Sequence, residues 1–100
     1  VIDLDRIVGF DWDRGNERKS AEKHDVSQAE AEQVFMNEPL LLSEDEGHSA
    51  TERRLRALGR TNDGRHLHVT FTLRRESSLI RVISARDMNR KERRQYEQNA

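Results

Sequence analysis

Arg81 lies inside the apolar run Leu79-Ile80-Arg81-Val82-Ile83-Ser84-Ala85, and it is the residue of this chain whose setting most directly suggests chemistry. A guanidinium stays charged at any physiological pH, so within a strand it is either paired, at a desolvation cost, or projected into a polar cleft. Two roles are therefore open: a salt bridge to an acidic helix, or a clamp on a phosphate, whose oxygens it can hold with two parallel hydrogen bonds. Arg86 closes the same run. In a regular strand the two arginines point to opposite faces roughly 16–17 Å apart. They share a site only if a bulge or the start of the next helix re-aims Arg86.

A second basic group follows at Arg90, Lys91, Arg93 and Arg94. At helical spacing Arg90, Arg93 and Arg94 neighbour one another, either as a solvated face or as a surface for phosphates. Tyr96 is close by, but with few aromatic residues in the chain, base readout by stacking is not evident. His66 and His68 are two apart on the polar side of an alternating segment and read as a solvated pair, since no third ligand has matching spacing. His48 and Glu52, four residues apart, could supply acid–base chemistry, whereas His24 stands where it would favour a helix C-terminus. There is no glycine-rich phosphate loop, no defensible Ser/His/Asp order and no carboxylate cluster at metal-ligand spacing. No cofactor or metal ion is expected. Metal-free cleavage of RNA remains open, because the substrate's own 2′-hydroxyl can attack the adjacent phosphate if a protein orients it and moves protons.

The elements that must position these residues follow from pattern. Ile7 to Trp12 reads as a first strand and Asp13 as the cap of a helix near residues 14–23. Ser27 and Glu30 form a capping box for a second helix, which Pro39 stops near Met36. A short strand at Leu40–Leu42 and an acidic loop from Ser43 to Ser49 lead to a strand over Arg53–Thr61. Asn62-Asp63-Gly64 then offers positive-φ positions for a tight hairpin. Leu67, Val69, Phe71 and Leu73 alternate with polar residues, the clearest period-2 signal in the chain. A turn at Arg75–Ser78 and the Leu79–Ala85 strand precede a last helix, capped by Asp87 or Asn89, that runs through Tyr96. The expected fold is one α+β domain over residues 1–100. It has N-terminal helices, an antiparallel sheet of three to four strands and a C-terminal helix.

Composition narrows the class further. The absence of cysteine excludes disulfides, thiolate zinc sites and a cysteine nucleophile. No apolar run exceeds the three residues of Leu40–Leu42, so there is no membrane span or signal-peptide core, and a cytoplasmic location is expected. With 37% charged and 33% hydrophobic residues, the core must be thin, which favours a partner that covers surface. Charge is also unevenly divided. Residues 1–50 carry five Lys and Arg against 13 Asp and Glu, and residues 51–100 carry 13 against six. One surface is thereby suited to polyanions, unless the halves neutralise each other in space.

Several blocks, in order from about residue 8 to residue 97, resemble the BrnT family of toxins from bacterial type II toxin–antitoxin systems. They are Phe10-Asp11-Trp12-Asp13, Lys23-His24 before Val26-Ser27, Glu30-Ala31 to Val34-Phe35, Gly59-Arg60-Thr61 and, most specific, Ile80 to Arg86 continuing through Asp87-Met88-Asn89 to Tyr96. The resemblance implies a RelE-like ribonuclease fold and RNA cleavage that arrests translation. It also implies neutralisation by a BrnA-like antitoxin with a ribbon-helix-helix domain, and contact with operator DNA only through that antitoxin. On this reading Arg81 and Arg86 bind the scissile phosphate region, and His48 or Glu52 assists proton transfer. Arg90, Lys91, Arg93, Arg94 and Tyr96 contact RNA. Family members usually carry Asn and an aromatic residue before the Lys-His block and Gly after it, where this chain has Ser20, Ala21 and Asp25. That departure keeps a second function open: a non-catalytic protein of the same fold that stabilises a DNA-binding antitoxin.

Overall fold

The alternation around Val69 builds the middle of the molecule. In the computed structural model, which describes residues 3–45 and 53–99, it becomes one strand of a five-stranded sheet. A single 3-10 turn, Leu4–Arg6, precedes β1 (Gly9–Phe10), α1 (Arg14–Glu17), α2 (Lys19–His24) and α3 (Gln28–Val34). Then come β2 (Leu41–Glu44), β3 (Leu55–Arg60), β4 (His66–Arg74), β5 (Leu79–Asp87) and α4 (Arg90–Asn99). The strand order is β1-β5-β4-β3-β2.

Four strands pair antiparallel, as expected, but the sheet is mixed, because β1 adds a parallel edge through Gly9↔Leu79 and Phe10↔Ile80. The expected Ile7–Trp12 strand is cut to two residues. Past the Asp11 N to Ile80 O bond of 2.8 Å, the chain turns into α1, where Asp13 accepts from the Gly15 and Asn16 amides. Side chains then continue along the β5 edge in place of a strand. Asn16 Nδ2 donates to Val82 O at 2.9 Å and Ala85 N donates to Ser20 Oγ at 2.7 Å, so buried backbone groups there are paired. Ser20, one of the departures from the family pattern, thus has a structural task. Asp25, another, closes α2 in the left-handed region at φ 55°, ψ 41°, which Asp tolerates better than most residues.

One face of the sheet is the core. Leu55 and Ala57 of β3, Leu67, Val69 and Phe71 of β4, and Ile80, Val82 and Ala85 of β5 are buried under Val26, Ala31 and Val34. Helix α3 comes so close to β3 that a Cβ on Gly59 would stand 2.8 Å from Val34 Cγ1 and 3.2 Å from Val34 O. Its start is the expected capping box, with Glu30 N donating to Ser27 Oγ and Ser27 N to Glu30 Oε1. Arg65 fastens this layer. It grips Asp87 with Nε and Nη2, reaches Glu30 with Nη1, and donates to the Asp25 and His24 carbonyls at the end of α2.

Two turns differ from expectation. At Asn62-Asp63-Gly64 only Gly64 has positive φ, at 85°, so the loop is a longer turn closed by Gly64 N to Thr61 O and Thr61 N to Arg65 O rather than a two-residue hairpin. At the other hairpin Arg75, Glu76 and Ser77 all adopt positive φ (50°, 56° and 68°) without a glycine or asparagine to announce it.

Helix α4 docks on the opposite face of the sheet and covers only one end of it. Tyr96 anchors it, 3% exposed, with its hydroxyl donating to Pro39 O at 2.6 Å and its ring edge-on to His66. Among the described residues no other helix docks on that face, where Arg56 is exposed and Thr70 and Ser84 are half-buried. On the core side, exposed Leu4, Val8 and Met36 gather around a groove with Phe10 and Phe35. No helix among the described residues is long and apolar enough to cross a membrane.

Candidate functional site

The open face is set by one extra residue in β5. Val82 pairs with Phe71 and Ser84 with Thr70, which leaves Ile83 without a partner. Because side chains alternate, one inserted residue reverses the phase of everything beyond it. Arg81 lies opposite Thr72 and Arg86 opposite His68, and Thr72 and His68 share one face of β4. The two arginines are therefore on the same face, not the opposite faces of a regular strand. Their β4 partners are four residues apart, which corresponds to about 13–14 Å.

Register aligns two rows across this face. Leu41, Leu58, His68 and Arg86 form one, and Ser43, Arg56, Thr70 and Ser84 the next. Directly opposite and diagonal neighbours in such rows lie within reach of long side chains. Arg56 is exposed and makes no hydrogen bond or ion pair with another described residue.

The other two arginines are already paired. Arg81 Nη2 stands 3.0 Å from Asp13 Oδ2 and Nη1 3.5 Å from Asp11 Oδ2. Arg86 forms a fork on Glu92, with Nη1 to Oε1 at 2.7 Å and Nη2 to Oε2 at 2.9 Å. Hydrogen bonding to Glu92 raises the Arg86 pKa. For Glu92 burial pushes upward, but the Arg86 fork, the Asn89 amide and nearby positive charge outweigh it and bring the carboxyl down to about 2. Asn89 N and Glu92 exchange the bonds of a capping box, so the residue that starts α4 also fixes Arg86.

His68 contradicts the reading of a solvated pair. Its side chain is only 8% exposed and Nε2 sits 3.7 Å from Glu92 Oε2, too long for a hydrogen bond. Burial lowers its pKa, with the Arg86 and Arg56 charges acting in the same direction and Glu92 opposing. At neutral pH the ring is neutral, so this contact is not an ion pair. His66 is half-buried against Tyr96. Among the described residues no group of three or more His, Asp or Glu is arranged to hold a metal ion.

The basic run is divided by helical geometry. Glu92 and Tyr96 face the sheet, while Arg90, Lys91 and Arg94 are exposed without an ion pair to a described residue. Arg93 is paired with Glu97 at 3.1 Å. The ring and hydroxyl of Tyr96 are taken up by packing, which leaves no face on which a base could stack. His48 and Glu52 lie outside the described residues.

The result is a polar sheet face with three guanidiniums, the hydroxyl side chains of Ser43, Thr70, Thr72 and Ser84 and a nearly buried histidine, bordered by a cationic helix. Such a surface can bind a polyanion and stabilise charge that develops on a phosphate. Sequence reasoning found Arg81, Arg86 and the α4 cations but missed Arg56 and His68. The alternation of Arg54 and Arg56 with buried residues was the available signal for Arg56; nothing in the sequence marked His68 as covered by α4.

Residues 12–92 match the family model described as a ribonuclease toxin, BrnT, of type II toxin–antitoxin systems. No curated protein sequence matches the chain.

Proposed function

The chain belongs to the BrnT family of ribonuclease toxins of type II toxin–antitoxin systems, and on that premise we propose that it cleaves RNA on the open face of its sheet. The observation that carries this reading is the β5 bulge, which gathers Arg81, Arg86 and, across the sheet, Arg56 on one uncovered polar surface. An attacking 2′-hydroxyl produces a phosphorane-like transition state with extra negative charge on the non-bridging oxygens. Fixed guanidiniums are suited to that charge. Arg86 is held in a defined orientation by Glu92, and Arg56, exposed and unpaired among the described residues, is available to the phosphate. Arg90, Lys91 and Arg94 of α4 extend the positive surface along the RNA backbone, and Arg93 joins them where it leaves Glu97. His48 or Glu52 assists proton transfer in this reading.

The partner is an antitoxin. It is proposed to be BrnA-like, to cover the open face and so exclude RNA, and to carry whatever operator contact the complex makes. Induced expression of the chain without its partner tests the function. Arrest of translation that Arg56→Gln relieves supports the ribonuclease reading, because the exposed Arg56 side chain is tied to no other described residue.

A second reading draws on a specific observation: Arg81 and Arg86 are both neutralised by carboxylates. A non-catalytic protein that only stabilises a DNA-binding antitoxin would need those pairs for folding and no free cation. Unimpaired growth on expression of the soluble chain alone favours this reading.

A further inference from the structure

We propose that His68 is the group that removes the proton from the RNA 2′-hydroxyl, working from the cavity it shares with Arg56 and Glu92; this rests on the ribonuclease reading above. The cavity has a volume of about 70 Å³ and lies between β2, β3, β4 and α4, lined by Ser43, Arg56, Leu58, His68, Glu92 and Gln95 among others. It can hold a few water molecules. A ribose edge with its hydroxyl and one phosphate oxygen is of that size, and a base is not.

The groups around the void have complementary tasks. His68 Nε2 makes no hydrogen bond to a described residue, and no fully buried side-chain nitrogen or oxygen among the described residues lacks a partner, so this nitrogen keeps some exposure while its ring lines the cavity. Charged groups face the ring from each neighbouring element: Arg86 from β5, Arg56 from β3 and Glu92 from α4. Burial, helped by the two guanidiniums, holds the imidazole pKa below its ordinary 6.5 and so favours the neutral form, which accepts a proton. Glu92 stays ionised far into acid, and its Oε2 lies 3.7 Å from the same Nε2, beside the proton's arrival point, where its charge stabilises the imidazolium once formed. Arg56 borders the same void and can meet a non-bridging phosphate oxygen.

His68 Nε2 takes the 2′-hydroxyl proton while the 2′ oxygen forms a bond to phosphorus. The bond from phosphorus to the 5′ oxygen breaks, and its electron pair stays on that oxygen, which takes a proton from water. The imidazolium then returns its proton to the hydroxide so formed. The products are a 2′,3′-cyclic phosphate and a 5′-hydroxyl, with no net change in protons.

A purely structural role, in which His68 only packs beneath α4, predicts a different pH profile. Cleavage of a labelled oligoribonucleotide is measured from pH 4.5 to 8.5, and the titration of each histidine of the wild-type protein is followed by NMR. The wild-type rate should fall on the acid side with a bend at the pH where His68 itself titrates, below 6.5. In His68→Gln that bend should disappear and the plateau should drop by about 10² or more, with the thermal midpoint measured in parallel. Added imidazoles should restore cleavage to His68→Ala in order of their basicity. A bend that coincides with another histidine, or moves in His48→Gln instead, overturns the proposal, and this comparison needs no His68 variant to fold. An unchanged acid limb in folded His68→Gln overturns it too and leaves the ribonuclease reading standing. RNA left intact by the wild type overturns both.

Discussion

Arg86 and Glu92 meet fork to fork across the corner where β5 gives way to α4, with their two contacts at 2.7 and 2.9 Å. This pair docks the last helix and orients a guanidinium at the edge of the open face. A phosphate that approaches Arg86 must share it with a carboxylate, so the site depends on cations that are not so held, Arg56 first among them.

Stability should fall as the solution is acidified, in two stages. His68 is held below its ordinary pKa of 6.5 by burial, so the unfolded chain takes up the proton first. Its stabilising contribution is present above about pH 6.5 and is lost as pH falls through the folded value. Glu92 acts in the same direction lower down. Its contribution is complete above about 4.5 and is lost as pH drops towards about 2. Urea midpoints measured from pH 8 to 3 should decline below 6.5 and again below 4.5, and His68→Gln should flatten the first decline. A midpoint that rises on acidification contradicts this assignment.

Arg65 joins the end of α2, the start of α3 and the end of β5 through Asp25 O, Glu30 and Asp87. Its hydrogen bonds to Asp87 and to Glu30 raise its pKa; they lower that of Asp87 and add to the lowering of Glu30 that the Ser27 amide mainly causes. Arg65→Met should cost about 2 kcal/mol, since charge-assisted bonds are lost and two carbonyls at a helix end lose their donor. Chemical denaturation measures this. A loss below about 0.5 kcal/mol would mean that the fastening is incidental.

Gly59→Ala places a methyl group 2.8 Å from Val34 Cγ1 and 3.2 Å from a backbone carbonyl. Helix α3 must then move off β3, at a cost of about 1–3 kcal/mol. The same substitution at Gly9, where a Cβ meets only Leu79 Cδ2 at 3.5 Å, should cost less. Equal thermal midpoints for the two variants would refute the close approach.

Antitoxin binding should follow the charge of the open face. Arg56→Glu combined with Arg94→Glu should slow association about tenfold or more at low salt and much less at high salt. Met36→Asp, in the apolar groove on the core side, should leave the rate nearly unchanged. The reverse ranking in stopped-flow measurements places the partner in the groove instead.

Local chemistry was readable from the sequence where it is carried by adjacent residues. The capping boxes at Ser27 and Asn89 and the alternation of Leu67, Val69 and Phe71 were of this kind, because spacing alone decides which groups meet. What long-range pairing decides was not readable. β1 is parallel because Gly9 and Phe10 reach β5 some 70 positions away in the sequence, and no local pattern encodes that. The bulge at Ile83 was foreseen only as a condition for Arg81 and Arg86 to share a face, since an extra residue in one strand shows only against its partner. Arg75, Glu76 and Ser77 take left-handed conformations with none of the residues that normally signal them. His68 read as solvated because α4 covers it from 24 residues further along.

The most direct test is cleavage of labelled RNA by the purified chain, free of its partner and in the presence of a chelator. The account predicts fragments that end in 2′,3′-cyclic phosphates and begin with 5′-hydroxyls. It also predicts a rate that falls about tenfold in Arg56→Gln, at an unchanged thermal midpoint, and about a hundredfold in Arg86→Lys, which keeps the charge but loses the fork. Intact RNA after incubation with the folded wild type, or equal rates for wild type and both variants, would contradict it.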